Sequence, residues 1–526
     1  MRTFLLALLI LLSVADALLS FKMHRKLPKN ERRVAHSKGK TEKSLPDDPL
    51  SGGSGFASYY IDVKVGTPPQ TLRMDPDTGS SDFVVVTPAC GCNYYGTGFD
   101  PSASSSAQAS TCGFSCTNMS SPLYLSCSDC TGSCGTCTLS VNYGDGSSAY
   151  GSVFRDVVEL SPTRSAPIFL GAMSTASGKF SGSRDDGILG LAFPSLASGV
   201  PTFMDQLAAT GVPNVFSACY GSYDGGEMTF GGWDSALVAP GNTLVLQVPV
   251  DKSTGYFGVT VSQFSMAGNT YAASVYSSAI LDTGTTLLMT TDMGFVQNFR
   301  GWLASALSSA SASTVAQGLI DNPTAFTCFD RTELSYFVPC LPPLQVSFLV
   351  DGVLTAVSVP ASSYLWIYES DTICPGQYAV TQGVQLVAGL PGIDMILGDV
   401  FLRNVHTTYD RSGLTATFRL PNAAACGTAI SNVTDTTKCS KIPIWRTVSL
   451  LTILLAAFGA GAVVLILILV ICCCCCCRKK KQHPQHHHHH HEPAHDGATP
   501  AGYNTVVYAP VGQGNVNTAM APFPTK

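Results

Sequence analysis

The segments Asp77-Thr78-Gly79-Ser80 and Asp282-Thr283-Gly284-Thr285 are near-copies of each other and lie 205 positions apart (282 − 77). Each stands where apolar or β-branched residues meet small hydroxyl residues, which predicts a tight turn at a strand end. An Ile-Leu-Gly element follows each copy, at 188–190 and at 396–398, with an offset of 208 positions (398 − 190). Paired elements in one order at nearly one offset indicate two copies of one supersecondary unit. The chain is therefore predicted to be a pseudo-dimer with two facing carboxylates.

Other segments place this repeat in a wider pattern: YYIDVKVGTPPQ (59–70), DTGSSDFVVV (77–86), YGDGSS (143–148), DGILGLAFPSL (186–196), GGEMTFGG (225–232), AILDTGTTLL (279–288) and ILGDVFLRNVHTTYD (396–410). In these segments and their order, residues 56–430 resemble the pepsin-family (A1) aspartic proteases. The resemblance implies an all-β, bilobal pepsin-like fold with pseudo-twofold symmetry and a peptide-binding cleft between the lobes. Each lobe would supply one catalytic aspartate. Frequent Gly, Ser, Thr and Val also favour β structure.

The two aspartates suit the chemistry of amide hydrolysis, which needs a base to activate water and an acid to protonate the carbonyl oxygen. Two carboxylates at hydrogen-bond distance cannot both ionise cheaply, so they share one proton, a general property of the aspartic protease dyad. We expect Asp77 and Asp282 to hold the attacking water. The supporting residues are expected to be Thr78, Gly79, Ser80, Thr283, Gly284 and Thr285, with the two hydroxyl residues Ser80 and Thr285 bonded to the outer carboxylate oxygens.

A hairpin-type Asp-Gly turn follows the alternating residues 139–143. By resemblance this hairpin is the flap that closes over substrate, with Tyr143, Gly144 and Asp145 at the substrate. An ordinary surface hairpin is the alternative.

Two positions depart from the family pattern near the first aspartate. Asp75-Pro76 stands where the family runs apolar, which adds a charge near the dyad and removes a strand donor. Val84 stands where the family often has Trp, so a bond from that Trp to Tyr143 is lost.

Fourteen of the 20 cysteines precede residue 448, and an even number in an oxidising compartment predicts disulfides. Eight form a cysteine-rich insert similar in placement to that of nepenthesin-like aspartic proteases: Cys90, Cys92, Cys112, Cys116, Cys127, Cys130, Cys134 and Cys137. A zinc site at residues 127–137 is the alternative. The spacer between the two CxxC pairs of this segment is shorter than in zinc ribbons, so no metal is expected. Matching to beta-secretase-like members implies the pairs Cys219–Cys426 and Cys328–Cys374. Asn118 and Asn432 begin glycosylation sequons.

The two ends of the chain carry targeting signals. Residues 1–17 combine Arg2, an apolar run and a small-residue cleavage site, which predicts a secretory signal peptide. Residues 448–471 are an uncharged run of 24 residues, long enough as a helix (roughly 36 Å) to cross a hydrocarbon core of about 30 Å. Basic residues at 478–481 then place the tail in the cytoplasm and the preceding chain in the lumen or outside. A buried helix of a soluble domain is the alternative.

Charge divides the luminal part into a basic leader and an acidic body. Residues 20–50 hold nine Lys or Arg and four acids, whereas residues 51–447 hold 15 Lys or Arg and 28 acids. This contrast fits a zymogen prosegment held by ion pairs and released when acid protonates its partners. A solvated, disordered linker is the alternative.

Together these features predict a membrane-anchored aspartic endopeptidase of the secretory or endolysosomal pathway that acts as a processing protease or sheddase. Its catalytic domain is expected to be luminal or extracellular. The expected location is the plasma membrane or an endosomal or Golgi compartment. Polypeptide substrates are expected, and no cofactor or nucleic acid; the oligomeric state is left open. The alternatives are an inactive pepsin-fold binding protein and a receptor that uses the cysteine-rich insert. The predicted divisions are a signal peptide (1–17), prosegment (18–50), N-terminal lobe (51–245), C-terminal lobe (246–430), stalk (431–447), transmembrane helix (448–471) and cytoplasmic tail (472–526).

Overall fold

The computed structural model describes residues 18–26 and 58–426, with gaps at 93, 95, 111–136, 162–163, 181–184, 221–225, 242–243, 273–277, 314–315, 370–372 and 388–391. The predicted signal peptide, most of the leader, the stalk, the apolar run at 448–471 and the tail therefore lie outside the described residues. Among the helices that are described, none has the length and apolar character needed to cross a membrane.

The described chain is mostly β structure. Its strands are β1 (Leu19–Lys26), β2 (Ser58–Val65), β3 (Gln70–Asp77), β4 (Phe83–Val86), β5 (Gln108–Ala109), β6 (Thr138–Asn142), β7 (Ser148–Ser161), β8 (Arg164–Ala176), β9 (Gly187–Gly190), β10 (Val215–Tyr220), β11 (Gly226–Phe230), β12 (Leu244–Pro249), β13 (Gly258–Val259), β14 (Gln263–Met266), β15 (Asn269–Ala272), β16 (Ala279–Leu281), β17 (Leu288–Thr290), β18 (Thr327–Phe329), β19 (Leu344–Val350), β20 (Val353–Val359), β21 (Leu365–Glu369), β22 (Tyr378–Gln382), β23 (Val384–Leu386), β24 (Met395–Leu397), β25 (His406–Asp410) and β26 (Thr415–Arg419).

Helices are few and mostly short in the described chain. The fold is therefore mostly β, as expected, but it is not all-β. They are α1 (Phe203–Ala209), α2 (Met293–Ser309), α3 (Gln317–Asp321), α4 (Arg331–Phe337), α5 (Ala361–Tyr364), α6 (Asp399–Leu402) and α7 (Ala423–Cys426), with 3-10 turns at Pro101–Ala103, Gly178–Phe180, Pro194–Leu196, Ser235–Leu237 and Val338–Cys340. The longest, α2, is capped by the preceding residue Asp292, whose side chain accepts a hydrogen bond from the Phe295 amide. The helix buries one apolar face.

One large sheet runs through both halves of the described chain, in the order β12-β26-β25-β10-β11-β1-β2-β3-β9-β4-β8-β7-β5, with β6 paired to β7. Smaller sheets in the second half have the orders β13-β16-β24-β17-β23, β15-β14-β19-β20 and β18-β22-β21. Because β25 of the second half pairs with β10 of the first, the two lobes share backbone hydrogen bonds as well as packing.

The sequence repeat corresponds to a repeated strand arrangement. In the first half, β9 pairs parallel with β3 and antiparallel with β4. In the second half, β24 pairs parallel with β16 and antiparallel with β17. Each Ile-Leu-Gly element thus lies between the strand that leads to an aspartate and the next strand. A Cβ at Gly190 or Gly398 would come within 2.4 or 2.2 Å of backbone atoms, which explains why both elements end in glycine.

Aromatic side chains fill the core where the halves meet. Phe216 stacks on Tyr409 with ring centroids 4.7 Å apart, and Phe257 contacts Tyr409 at 4.9 Å and Phe193 at 4.8 Å. Fully burying large apolar side chains stabilises a fold by about 1.5–3 kcal/mol each. This packing therefore holds the two lobes in one relative position beneath the predicted dyad.

The described part of the leader forms a strand within the large sheet. The first half of β1 pairs with β11 and its second half with β2. Leu19 and Met23 are buried in the core, and the Lys22 ammonium forms an ion pair with the carboxylate of Glu227, which is itself buried. Residues 19–26 are therefore an integral part of the sheet.

A histidine is buried in the same sheet. His406 lies opposite Arg419 on β26 and against the ring of Trp233, and neither of its ring nitrogens has a hydrogen-bond partner among the described residues. Burial and the charge of Arg419 lower the pKa of His406 to about 4. The charge of Asp234 has a weaker, opposing effect. The native fold therefore excludes a proton that the unfolded chain binds near pH 6.5.

This difference predicts a stability loss in acid. Since the folded-state pKa of His406 is depressed, its contribution to stability is complete above about pH 6.5 and falls as the pH drops towards 4, by about 3 kcal/mol. His406→Phe keeps a buried ring but cannot bind a proton. We expect its unfolding free energy to fall by about 3 kcal/mol less than that of wild type when the pH is lowered from 7 to 4. Urea unfolding of the full chain at both pH values measures this, and equal losses in the two proteins would contradict it.

Candidate active site

The two aspartates of the repeat lie against each other. Asp77 ends β3 and Asp282 directly follows β16, and both side chains are buried. The Asp77 carboxylate lies over Gly284, where a Cβ would be 2.4 Å from its Oδ1, and the Asp282 carboxylate lies in the same way over Gly79, at 2.5 Å. The glycines therefore allow each carboxylate to approach the opposite turn.

Equivalent donors hold the two carboxylates. The Gly79 amide donates to Asp77 Oδ1 at 2.8 Å, and the Gly284 amide donates to Asp282 Oδ1 at 2.9 Å. The Ser80 hydroxyl donates to Asp77 Oδ2 at 2.6 Å, and the Thr285 hydroxyl donates to Asp282 Oδ2 at 2.7 Å. One set of contacts, repeated in each half, thus orients both side chains.

The two threonines of the motifs connect the halves beneath the carboxylates. The Thr78 amide donates to Thr283 Oγ1 at 2.9 Å, and the Thr283 amide donates to Thr78 Oγ1 at 3.0 Å. Each hydroxyl then donates to a carbonyl of the opposite half, Thr78 to Leu281 at 2.8 Å and Thr283 to Pro76 at 2.6 Å. Because these groups are buried, the four bonds resist separation of the two turns. The motifs predict that both threonines lie near the dyad, but they do not predict this reciprocal pairing.

The environment of the pair favours retention of a proton. Burial raises the pKa of Asp282, the negative charge of Asp77 and a hydrogen bond with its carboxyl raise it further, and the bonds from Thr285 and Gly284 oppose the shift. One proton therefore stays with the pair at a pH where an ordinary carboxyl group is ionised. A buried pair with one proton offers one acid and one base in the same place.

The predicted flap residues form the turn between β6 and β7. The Gly146 amide donates to the Tyr143 carbonyl at 3.0 Å, and the Ser147 amide donates to the Asp145 side chain at 2.8 Å. The Tyr143 ring packs on Phe180. Burial, followed by the charges of Asp77, Asp82 and Asp75, raises the pKa of Tyr143 well above its ordinary value, so its hydroxyl keeps its proton beside the dyad. Gly144, in the same turn, has open space around it.

The unusual Asp75-Pro76 segment does not interrupt the strand. Through Pro76, β3 stays in register with β9 as far as Asp77, and the Pro76 carbonyl accepts the bond from Thr283. Asp75 is buried and lies two residues before Asp77, on the same side of the strand. The departure therefore leaves the first turn intact and adds an acidic group beside the flap.

An apolar wall that the sequence motifs do not predict lies beside Asp282. Ile280, Ile393 and Ile396 form a buried cluster against which Tyr256 and Met289 pack. Burial raises the pKa of Tyr256, and the charges of Asp282 and Asp77 raise it further, which places Tyr256 near the dyad. Two of these isoleucines flank the repeated motifs in sequence, whereas no pattern marks Tyr256.

The described part of the chain contains three disulfides. Cys219 joins Cys426 and Cys328 joins Cys374, the two pairs implied by resemblance. Cys90 joins Cys92 at the start of the cysteine-rich insert. Asn118, Asn432 and most of the insert, including the cysteines considered for zinc, lie outside the described residues.

A mostly β fold of two lobes that meet at a buried pair of aspartates is the architecture of a pepsin-like aspartic protease. The family model "Eukaryotic aspartyl protease" matches residues 58–418. Rhizopuspepsin-4 of Rhizopus niveus is 32% identical over 377 residues, 69% of this chain and 77% of the relative. Rhizopuspepsin of Rhizopus chinensis is 34% identical over 378 residues, 69% and 78% of the two chains, and penicillopepsin-3 of Penicillium janthinellum is 27% identical over 363 residues, 68% and 77%.

The chain belongs to the eukaryotic aspartyl protease family. It is an aspartic endopeptidase, a hydrolase that cleaves peptide bonds.

Proposed function

We propose that Asp77 and Asp282 catalyse peptide hydrolysis in a membrane-anchored processing protease or sheddase of the secretory or endolysosomal pathway. The observation that supports the dyad is the approach of each carboxylate to the glycine of the opposite turn. With one proton on the pair, the ionised carboxyl removes a proton from a water held between them, and the protonated carboxyl donates to the substrate carbonyl oxygen. Water attack gives a tetrahedral diol.

The second half of the reaction returns the proton. The carboxyl that took the proton from water gives it to the amide nitrogen, and the C–N bond breaks to release the amine. As the product carboxyl group forms, a hydroxyl of the diol gives its proton to the dyad, which again holds one proton. Tyr143 and the flap turn exclude water and orient the substrate in this scheme. Activity falls as the pH rises through the raised pKa of the pair, because the second proton loss removes the acid.

The apolar wall beside Asp282 supports a preference for bulky apolar side chains next to the cleaved bond. The ring of Tyr256, which is partly buried and packs on the isoleucines, can bind such groups by excluding water from both surfaces. Incubating the purified chain with a peptide library from pH 3 to pH 7, with and without pepstatin, tests this proposal. Pepstatin-sensitive cleavage in acid, enriched at apolar residues, is the expected result, and an absence of cleavage at every pH would favour an inactive binding protein.

The proposed membrane anchor rests on the uncharged run at 448–471 and the basic residues after it. We expect the full-length chain to resist extraction from membranes by alkaline carbonate. In sealed vesicles, protease added outside should digest only the part of the chain on the outer face. That part is the tail or the catalytic domain, depending on the orientation of the vesicle. Extraction of the intact chain by carbonate would contradict the anchor.

The leader strand supports a zymogen. Since β1 supplies buried side chains and both of its edges are paired, its departure requires another segment to replace it or a rearrangement of the sheet. In this scheme, the Glu227 carboxylate binds the Lys22 ammonium and holds the leader strand, so loss of this charge favours release of the strand.

We therefore predict that Glu227→Gln, which removes this charge at every pH, gains activity several-fold faster than wild type when both are shifted to mildly acidic pH. Glu159→Gln is the matched control, because Glu159 pairs with Lys64 at 2.8 Å within the body of the enzyme. Peptide cleavage and leader removal are followed with time. Equal activation rates for wild type and Glu227→Gln would contradict the role of this ion pair.

A further inference from the structure

An aliphatic hairpin end projects from the second lobe. At the turn between β19 and β20, Leu349, Val353 and Leu354 are 57%, 63% and 48% exposed. We call these three residues the aliphatic tip. Leu349 and Leu354 are directly opposite each other across the two strands. Single exposed apolar residues are common on protein surfaces, but three at the end of one hairpin are a local concentration that an apolar phase can cover.

The hairpin that carries the tip has almost no charged residues. From Leu344 to Val359 the chain has one charged residue, Asp351, which lies in the turn itself. The neighbouring hairpin of the same sheet differs, because its β15 strand presents the polar residues Asn269 and Thr270 to solvent. The aliphatic character is thus specific to the β19–β20 hairpin.

The tip lies next to the last strand of the described fold. Phe348, which precedes Leu349, packs on Phe418 of β26 with ring centroids 5.5 Å apart. Leu420 follows two residues later and is 47% exposed. The described chain ends at Cys426, and 21 residues (427–447) separate it from the uncharged run at 448–471. Fully extended, that connection spans at most about 75 Å.

We propose that the aliphatic tip inserts into the surface of the lipid bilayer in which the chain is anchored. This inference rests on the proposed membrane anchor. A bilayer fits the tip better than a second protein copy does, because the exposed residues are concentrated at the end of a hairpin and a connection of 21 residues allows the fold to reach the membrane that would hold the anchor. Insertion of three aliphatic side chains adds a second membrane contact, which restricts the orientation of the cleft relative to the membrane.

Tryptophan quenching tests the contact. Full-length Val353→Trp is reconstituted into phosphatidylcholine vesicles whose acyl chains carry bromine, and its fluorescence is compared with that of the parent chain. Thr270→Trp, at the exposed polar hairpin of the same sheet, is the matched control. We expect the tryptophan added at 353 to be quenched at least twofold more than the one added at 270. Equal quenching at the two positions would overturn the proposal.

Flotation of the parent chain with the same vesicles separates this proposal from that of the anchor. If the parent chain does not float, the anchor is contradicted. In that case, selective quenching at position 353 would still support insertion of the tip, and an absence of selective quenching would overturn the insertion proposal.

A functional measurement follows from the same contact. Leu349→Ser combined with Leu354→Ser should leave cleavage of a soluble peptide unchanged and slow cleavage of a lipid-tethered peptide several-fold in the reconstituted enzyme. If wild type in detergent is instead a dimer that this double variant converts to a monomer, the tip binds a second copy and the membrane proposal is wrong.

Discussion

Replacement of either Asp77 or Asp282 by asparagine is expected to lower kcat/KM by at least about a thousand-fold across the whole pH range. Asparagine keeps the size of the side chain, and its carbonyl oxygen can still accept the bond from the Gly79 or Gly284 amide. Its amide nitrogen only donates, so the hydroxyl of Ser80 or Thr285 must turn to accept a bond from it. Asparagine cannot accept or hold the proton that the pair shares. The loss should therefore be a loss of kcat with little change in the unfolding free energy.

Asp75→Asn is the matched control for these variants. Asp75 is a buried carboxyl residue on the same strand and the same side as Asp77. We expect Asp75→Asn to retain kcat/KM within about tenfold of wild type, because the carboxylates that face the glycines of the opposite turns are those of Asp77 and Asp282. Cleavage of one apolar peptide from pH 3 to pH 8 measures all three variants. Substantial activity in Asp77→Asn or Asp282→Asn would remove the dyad from the mechanism.

Gly284→Ala is expected to reduce kcat/KM by about a hundred-fold or more without unfolding the protein. The added Cβ would lie 2.4 Å from Asp77 Oδ1, closer than any real contact, so the carboxylate or the turn must shift. A shift of about 1 Å in a catalytic group costs on the order of a hundred-fold in rate. Gly79→Ala should behave in the same way, since its Cβ would meet Asp282 Oδ1 at 2.5 Å.

Gly301→Ala in α2 provides the comparison. Gly301 has open space around its Cβ position and is exposed on the helix. Alanine there should leave activity unchanged and raise the unfolding free energy by up to about 1 kcal/mol, because glycine is the poorer helix former. Peptide cleavage and urea unfolding of both variants distinguish a local clash from a general effect of alanine. A fully active Gly284→Ala would show that the two turns are not closely apposed.

Much of the site follows from local sequence. The repeated Asp-Thr-Gly segments predict two turns at strand ends, and their hydroxyl residues Ser80 and Thr285 are the donors to the outer oxygens. The Asp-Gly turn after residues 139–143 corresponds to the hairpin between β6 and β7. These features depend on contacts between residues close in the chain, so short patterns are sufficient to predict them.

Other features depend on residues far apart in the chain. Tyr256 reaches the dyad only because the second lobe folds back, and it stands in no recognisable motif. Residues 19–26 were expected to belong to a basic leader, yet their place between β2 and β11 follows from strand pairing that charge patterns do not encode. His406 is an ordinary residue in sequence, and only burial opposite Arg419 makes it sensitive to acid.

The sequence by itself determined the family resemblance, the two turns and the identity of the paired carboxyl residues, because these depend on local backbone preferences and on a repeat that can be counted. Only the tertiary structure decided how the two turns meet. The reciprocal bonds of Thr78 and Thr283, and the approach of each carboxylate to the opposite glycine, join residues about two hundred positions apart. Such contacts exist only after the core between the lobes has packed, since that packing sets the distance between the two turns.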